Sequence, residues 1–178
     1  FASSAAVYGA SSPYGLHKLM TEMECNLYAK LYGLDTVSLR YFNVYSEDQP
    51  YGGAYSTVIA AWMQMLKDKK PLRLDGDGRQ TRDFVYLDDI IDANIFCMKY
   101  EGRFSGMSFD VGTGTETSLS DIKKEVEKYH SPQWESAPAR TGDISTSRAN
   151  TQNLKILGWE AQTSLAIGLQ KCFGGKYD

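Results

Sequence analysis

Histidine is scarce. The 178 residues hold only His17 and His130, which excludes a histidine-rich metal site. Cysteine is sparse and odd in number. Cys25, Cys97 and Cys172 are widely spaced, so they read as reduced, mostly buried thiols of a cytosolic protein. No apolar run reaches transmembrane length, and no basic-then-apolar leader opens the chain. These absences predict a cytoplasmic protein with no membrane partner. An excess of basic residues is missing too. With 19 Lys+Arg against 22 Asp+Glu, nothing suggests a nucleic-acid face. There are no internal repeats and no low-complexity tracts. Gly76-Asp77-Gly78 and Gly112-Thr113-Gly114 are not dinucleotide-binding fingerprints, because neither forms a G-x-G-x-x-G after a strand with an acidic residue further on. Asp83, Asp88 and Asp89 lack the spacing of a calcium loop.

What is present is ordinary globular composition, 42% apolar and 23% charged, enough for one real core. The 12 tyrosines and three tryptophans suit a protein that handles sugars or other polar rings, and equally an aromatic-rich core. One stretch stands out, Ser12-Pro13-Tyr14-Gly15-Leu16-His17-Lys18. Pro13 sits where a helix would begin, with Ser12 as its cap. Tyr14 and Lys18 are four apart and so share one helix face. An ammonium beside a phenol favours the phenolate, and such a phenol could take a proton from a hydroxyl or give one to a carbonyl. The same spacing fits a plain solvated helix face.

The first residues, 1–9, read as a strand end running into a turn, and a strand that begins at the first residue predicts a longer protein. A helix is expected over 13–32, with Leu16, Leu19, Met23, Leu27 and Leu31 on its apolar side and Gly33 as C-cap. A strand over 34–41 follows, then a loop over 43–53 broken by Pro50, Gly52 and Gly53. Further helices are expected over 55–67, 87–100, 118–128, 151–157 and 164–173. Further strands are expected over 71–74, 84–86 and 107–111. Helices alternating with short apolar strands indicate an α/β fold with a parallel sheet.

Three groups of residues could carry chemistry. Ser3 and Ser4, with Tyr14 and Lys18, would lie at the C-terminal end of a parallel strand, where open α/β sheets bind ligands. Ser4 could equally hydrogen-bond its own backbone. Arg82 and Arg140 sit in loops and could grip phosphate or pair with surface carboxylates. Asp88 and Asp89 read as residues that begin a helix, where negative charge is favourable.

Taken in order, these motifs resemble the nucleotide-sugar epimerases of the extended short-chain dehydrogenase/reductase family. Ser3-Ser4-Ala5-Ala6-Val7-Tyr8-Gly9 resembles the strand end that carries the catalytic hydroxyl, here Ser4. Tyr14-x-x-x-Lys18 matches the catalytic pair. Leu39-Arg40-Tyr41-Phe42-Asn43-Val44-Tyr45 matches the strand whose Asn43 contacts the nucleotide sugar. The run Gly76 to Tyr86 matches the substrate-domain signature, with Arg82 on the diphosphate. Arg140-x-Gly-Asp143 matches the late motif, with Arg140 on the diphosphate and Asp143 on the nucleotide ribose. Leu157-Gly158-Trp159 and Ser164-Leu165 match the usual ending.

The resemblance implies catalysis by Ser4, Tyr14 and Lys18, and NAD bound through Ser3, Tyr14, Lys18 and Tyr41. It implies substrate bound through Ser4, Asn43, Arg82, Arg140, Asp143 and Ser147, and a homodimer with Met20, Cys25 and Leu27 as interface candidates. It also implies the fold: the C-terminal part of a Rossmann-type sheet over 1–48, and a smaller α/β substrate domain over 49–178 from which segments such as 84–112 return to the sheet. Two departures follow. The family's N-terminal half, with its NAD loop, is expected to lie outside the chain, and the family has a longer loop between Ser4 and Tyr14.

The implied reaction is C4 epimerisation of a UDP-sugar through a 4-keto intermediate. Ala5-Ala6 after Ser4 lacks the acids that the family's dehydratases and decarboxylases carry there. Ser147, where a bulky tyrosine would mark the glucose/galactose enzymes, implies UDP-GlcNAc/UDP-GalNAc, with UDP-glucose/UDP-galactose as a co-substrate. Gly53-Ala54-Tyr55 with Val58-Ile59 and Trp62 also resembles the acetylated subgroup. Alternatives are epimerisation of another nucleotide sugar, or a non-catalytic family member acting as a binding protein.

Overall fold

Helix formation around Tyr14 follows the local signals closely. The computed structural model describes residues 1–52, 57–139 and 144–175. After strand β1 (Ala2–Ser4) comes a single 3-10 turn (Ala5–Val7), and Gly9 at φ 72° then sends the chain toward Ser12. Helix α1 (Pro13–Tyr32) begins where Ser12 Oγ accepts the Gly15 N–H at 3.1 Å, and it ends at Gly33, in the left-handed region at φ 67°. Strands β2 (Val37–Tyr41) and β3 (Asn43–Tyr45) precede α2 (Val58–Lys67). Next come β4 (Leu72–Asp75), β5 (Thr81–Arg82), β6 (Phe84–Tyr86) and α3 (Leu87–Lys99), whose first turn holds Asp88 and Asp89. The chain ends with β7 (Met107–Val111), β8 (Thr117–Ser118), α4 (Leu119–Val126), β9 (Trp134–Ala137), α5 (Gln152–Leu157) and α6 (Leu165–Phe173). Ser118 and Ser164 cap α4 and α6 through their hydroxyls, as an exposed backbone N–H at a helix start requires. No helix among the described residues is long and apolar enough to cross a membrane.

Two compact units result. The first takes residues 1–42, 88–114 and 149–162. Its sheet is parallel in the order β1-β2-β7, with Ala2 opposite Leu39 and Leu39 opposite Phe109. Leu39, Phe109 and Val111 on these strands are buried, as are Ile90 and Ala93 of α3. Ser3, Arg40 and Asp110 lie side by side in register on these strands, as do Ser38 and Ser108. Because strand side chains alternate, this face of the sheet is polar.

That polar face corrects the expected apolar side of α1. Met23 and Leu31 are 65% and 64% exposed, and Leu16 and Leu27 are also exposed, whereas Gly15 and Glu22 are buried. The helix meets the sheet with a glycine and a carboxylate because a face made of Ser3, Arg40 and Ser108 gives leucines nothing to pack on.

The second unit takes residues 43–87, 115–148 and 163–178. It pairs β3 with β6 and β4 with β9 in parallel, and β5 with β8 antiparallel. Its core gathers Tyr45, Ile59, Trp62, Leu72, Phe84, Ile122, Leu169 and Phe173. Trp62 and Trp134 meet edge to face at 5.0 Å, an arrangement that the ring quadrupoles favour. The expected loop over 43–53 is corrected at its start, which is strand β3, and β9 was not foreseen.

The fold expected as the C-terminal part of a Rossmann-type sheet plus a smaller domain is also corrected. Parallel α/β pairing extends through both units, and the second is not the smaller.

Gly15 is the tightest point of α1. A Cβ there would lie 2.3 Å from the Ala6 carbonyl oxygen, backbone against backbone. Alanine normally helps a helix by up to about 1 kcal/mol over glycine, but overpacking of this kind costs roughly 1–3 kcal/mol. Gly15→Ala should therefore destabilise the protein, by about 1–2 kcal/mol, measured by urea unfolding. A stabilised variant would mean that α1 does not rest on the turn at Ala6.

Candidate active site

The expected site residues that the structure describes can each be located within their own unit. In the first unit Ser4 ends β1 in register with Tyr41 of β2. Ser4 Oγ accepts the Ala6 N–H at 3.2 Å and so caps the 3-10 turn. Tyr14 stands in the first turn of α1, 38% exposed. One turn later, the Lys18 ammonium lies 5.7 Å from the centre of the Tyr14 ring and donates to the Ala2 carbonyl at 2.7 Å. The close seat of Gly15 on Ala6 brings Tyr14 toward the end of β1 where Ser4 lies. Tyr41 donates its hydroxyl to Asn94 Oδ1 at 3.0 Å. Ser3 is buried and turns its hydroxyl to Glu22.

In the second unit, three expected residues gather around Thr81–Asp83. The backbone N–H and the side-chain Nδ2 of Asn43 both donate to the Asp83 carbonyl, at 3.0 and 3.1 Å. Arg82 is half-buried, and its Nη1 donates to the Thr81 carbonyl at 2.7 Å. The Ser147 N–H donates to the Thr81 carbonyl at 3.1 Å, and the Ser145 carbonyl accepts the Thr81 N–H at 3.0 Å, so the stretch 145–147 runs along β5 beside Arg82. Arg140 and Asp143 lie outside the described residues, as do Gly53, Ala54 and Tyr55.

Beneath Lys18 is a cluster that the motifs did not single out. The buried Glu22 carboxylate accepts hydrogen bonds from Ser3 Oγ, from Arg40 Nε at 2.9 Å and Nη2 at 2.6 Å, and from Ser108 Oγ at 3.1 Å. Arg40 Nη1 also donates to the Tyr8 hydroxyl at 2.9 Å, which donates to Asp110 Oδ1 at 2.7 Å. Burial pushes the pKa of the Glu22 carboxyl up, but hydrogen bonds from Arg40, Ser3 and Ser108 outweigh it and hold the group below its ordinary range. Burial, followed by the contact with Asp110, pushes the Tyr8 phenol up. The signal in the sequence was a lone arginine inside an apolar strand, with a glutamate one turn after Lys18. No group of metal-ligating residues forms among the described residues.

Residues 1–112 match the family described as "NAD dependent epimerase/dehydratase family". The expectation that the family's N-terminal half lies outside the chain is thereby corrected: the match begins at residue 1, and its span includes the Rossmann-like parallel strands β1, β2 and β7. The chain is 36% identical over 167 residues to a UDP-glucose 4-epimerase of Mycolicibacterium smegmatis, covering 90% of this chain and 51% of that protein. It superposes with TM-score 0.90 and 26% identity on a UDP-N-acetylglucosamine 4-epimerase from Methanobrevibacter ruminantium in complex with UDP-N-acetylmuramic acid, covering 97% of this chain and 60% of that one. A Thermus thermophilus UDP-glucose 4-epimerase complexed with NAD gives TM-score 0.80 at 28% identity, covering 92% and 54%. The chain thus spans about half the length of the curated relatives it matches.

Removing the Glu22 carboxylate leaves the Arg40 guanidinium, 22% exposed, without its main partner. Glu22→Gln should cost roughly 3 kcal/mol near neutral pH, the lower end for breaking a buried pair because Arg40 keeps some water. The folded carboxyl titrates below its ordinary value of 4.5. Its contribution is therefore complete above that pH and is lost as pH falls through the folded value. Urea unfolding at neutral and acid pH should show the gap between wild type and variant closing on acidification. A gap independent of pH would mean that the ion pair is not its source.

Proposed function

Because this chain belongs to the NAD dependent epimerase/dehydratase family, we propose that the protein carrying it interconverts the C4 epimers of a UDP-sugar. The observation that carries this reading is the exposed Tyr14 phenol on α1 with the Lys18 ammonium 5.7 Å from its ring, where β1 ends. Tyr14, as phenolate, takes the proton from the sugar C4 hydroxyl and later returns it. Lys18 stabilises the phenolate form in which Tyr14 accepts that proton. Ser4 orients the same sugar oxygen, for which its hydroxyl must turn its own proton outward while accepting from Ala6. Arg82, Asn43, Arg140 and Asp143 hold the nucleotide diphosphate and ribose while the flat 4-keto sugar turns over.

The donor set of the first unit suits NAD. Lys18 has three N–H donors and spends one on the Ala2 carbonyl, leaving donors for the nicotinamide ribose, with Tyr14 beside it. Ser3 and Tyr41 were expected on the cofactor as well, but their hydroxyls are given to Glu22 and Asn94. When bound, NAD would accept hydride from C4 and return it to the other face.

The favoured sugar is UDP-GlcNAc/UDP-GalNAc, with UDP-glucose/UDP-galactose as co-substrate. The small side chain of Ser147, half-buried beside Arg82, supports it, because a hydroxymethyl leaves room that a phenol would fill. A cytoplasmic homodimer is the matching assembly, with exposed Met20 and Leu27 of α1 as contact candidates.

Turnover of UDP-GlcNAc and UDP-glucose, followed by product chromatography, tests the reading. Tyr14→Phe should lower kcat by about 10²–10⁴-fold, the range for a lost acid-base group. Wild-type rates in the variant would end the assignment. Ser147→Tyr should lower kcat/KM for UDP-GlcNAc by about tenfold or more while sparing UDP-glucose, and unchanged turnover of the acetylated sugar would refute the pocket.

A further inference from the structure

Helix α1 presents Tyr14 and Lys18 but has little apolar grip on the sheet beneath it. Of its large apolar residues, Leu16, Met20, Met23, Leu27 and Leu31 are exposed and Leu19 is half-buried. Apolar contacts are non-directional, so they would leave a helix free to turn about its axis. Hydrogen bonds to a fixed carboxylate do not. Glu22 lies one turn after Lys18, and therefore on the same face. Its carboxylate gathers donors from all three strands of the sheet: Ser3 of β1, Arg40 of β2 and Ser108 of β7. The strand that holds Ser3 also supplies the Ala2 carbonyl to Lys18 and ends at Ser4. Arg40 extends the same set through Tyr8 to Asp110, whose other oxygen accepts the Asn150 N–H at 2.9 Å.

We propose that Glu22 is a positioning residue for the reaction: by holding α1 to three strands at once, it sets the rotation of the helix and so the placement of Lys18 and Tyr14 relative to Ser4. The inference rests on the epimerase reading for the roles of those three residues, but not for the geometry. A rotation of α1 by one residue would carry Tyr14 and Lys18 about 100° around the helix axis. Arg40 is part of the device because its fork grips the carboxylate at two nitrogens, which fixes direction where an ammonium would fix only distance.

The test uses the full protein that carries this chain, as wild type, Glu22→Gln, Arg40→Lys and Ser108→Ala, all well below their unfolding temperatures. The last two keep the measurement alive if the glutamine variant does not fold. Trace labelling of folded protein with acetic anhydride, read by peptide mass spectrometry, compares Lys18 with Lys30 in the last turn of the same helix. Positioning by Glu22 predicts a several-fold rise at Lys18 with Lys30 unchanged, graded from Ser108→Ala to Glu22→Gln. It also predicts a fall in kcat of about tenfold or more with KM for the UDP-sugar unchanged, as misplacement of reacting groups gives. Lys18 labelling at the wild-type level in folded variants overturns the proposal, as does an equal rise at Lys18 and Lys30, since either leaves Glu22 a stabilising residue only. A wild type inactive on every UDP-sugar, with selective labelling at Lys18 in the variants, would remove the epimerase reading and leave the positioning in place.

Discussion

One carboxylate buried between a helix and three parallel strands governs the first unit. The sheet could not have an apolar underside here, because Ser3, Ser38, Arg40, Ser108 and Asp110 line it. A polar face that is covered needs partners for the groups it buries; Ser3, Arg40, Ser108 and Asp110 have them, whereas the buried Ser38 hydroxyl has none. Glu22 accepts five hydrogen bonds from that face, three of them from Arg40, and Arg40 spends its remaining reach on Tyr8. The cost of burying the two charges is met only because the geometry is bidentate and the spare oxygen sites are filled. Everything at the top of α1 inherits this arrangement, including the seat of Gly15 on the Ala6 carbonyl.

How much of this could be read from the chain varies with the kind of signal. The bounds of α1 follow from three residues that act locally, Ser12, Pro13 and Gly33, and the structure ends the helix where they say. Strand β7 and the cap at Ser118 are equally local. Strands β3 and β9 are three and four residues long and exist only through partners 41 and 62 positions away, Asn43 on Phe84 and Leu72 on Trp134. A short window cannot see such pairing. The buried side of α1 was misread for a related reason. Periodicity marks where leucines fall, but the face that turns inward was decided by an arginine on a strand 18 residues beyond Glu22.

The candidate site shows the same division. Tyr14 and Lys18 are neighbours through helical spacing alone, so their contact was legible. Asn43, Arg82 and Ser147 converge on Thr81–Asp83 through backbone hydrogen bonds between distant segments. Motif order suggested those residues, but spacing could not bring them together. Ser4, Tyr14 and Lys18 belong to one compact unit, and Asn43, Arg82 and Ser147 to the other.

Each of those units is assembled from three separate stretches of chain, taken alternately. As the polypeptide emerges during synthesis, residues 1–42 cannot finish their unit until 149–162 have been made, and 43–87 must wait for the segment that starts at 163. Parallel strands joined across such distances form late, because loop closure must precede the contacts that reward it. The nascent chain therefore passes through a period in which β1 and β2 have no β7, with apolar Leu39 uncovered. Each unit should therefore complete its fold late relative to the synthesis of its first stretch, the first only after residue 149 has been made and the second only after residue 163.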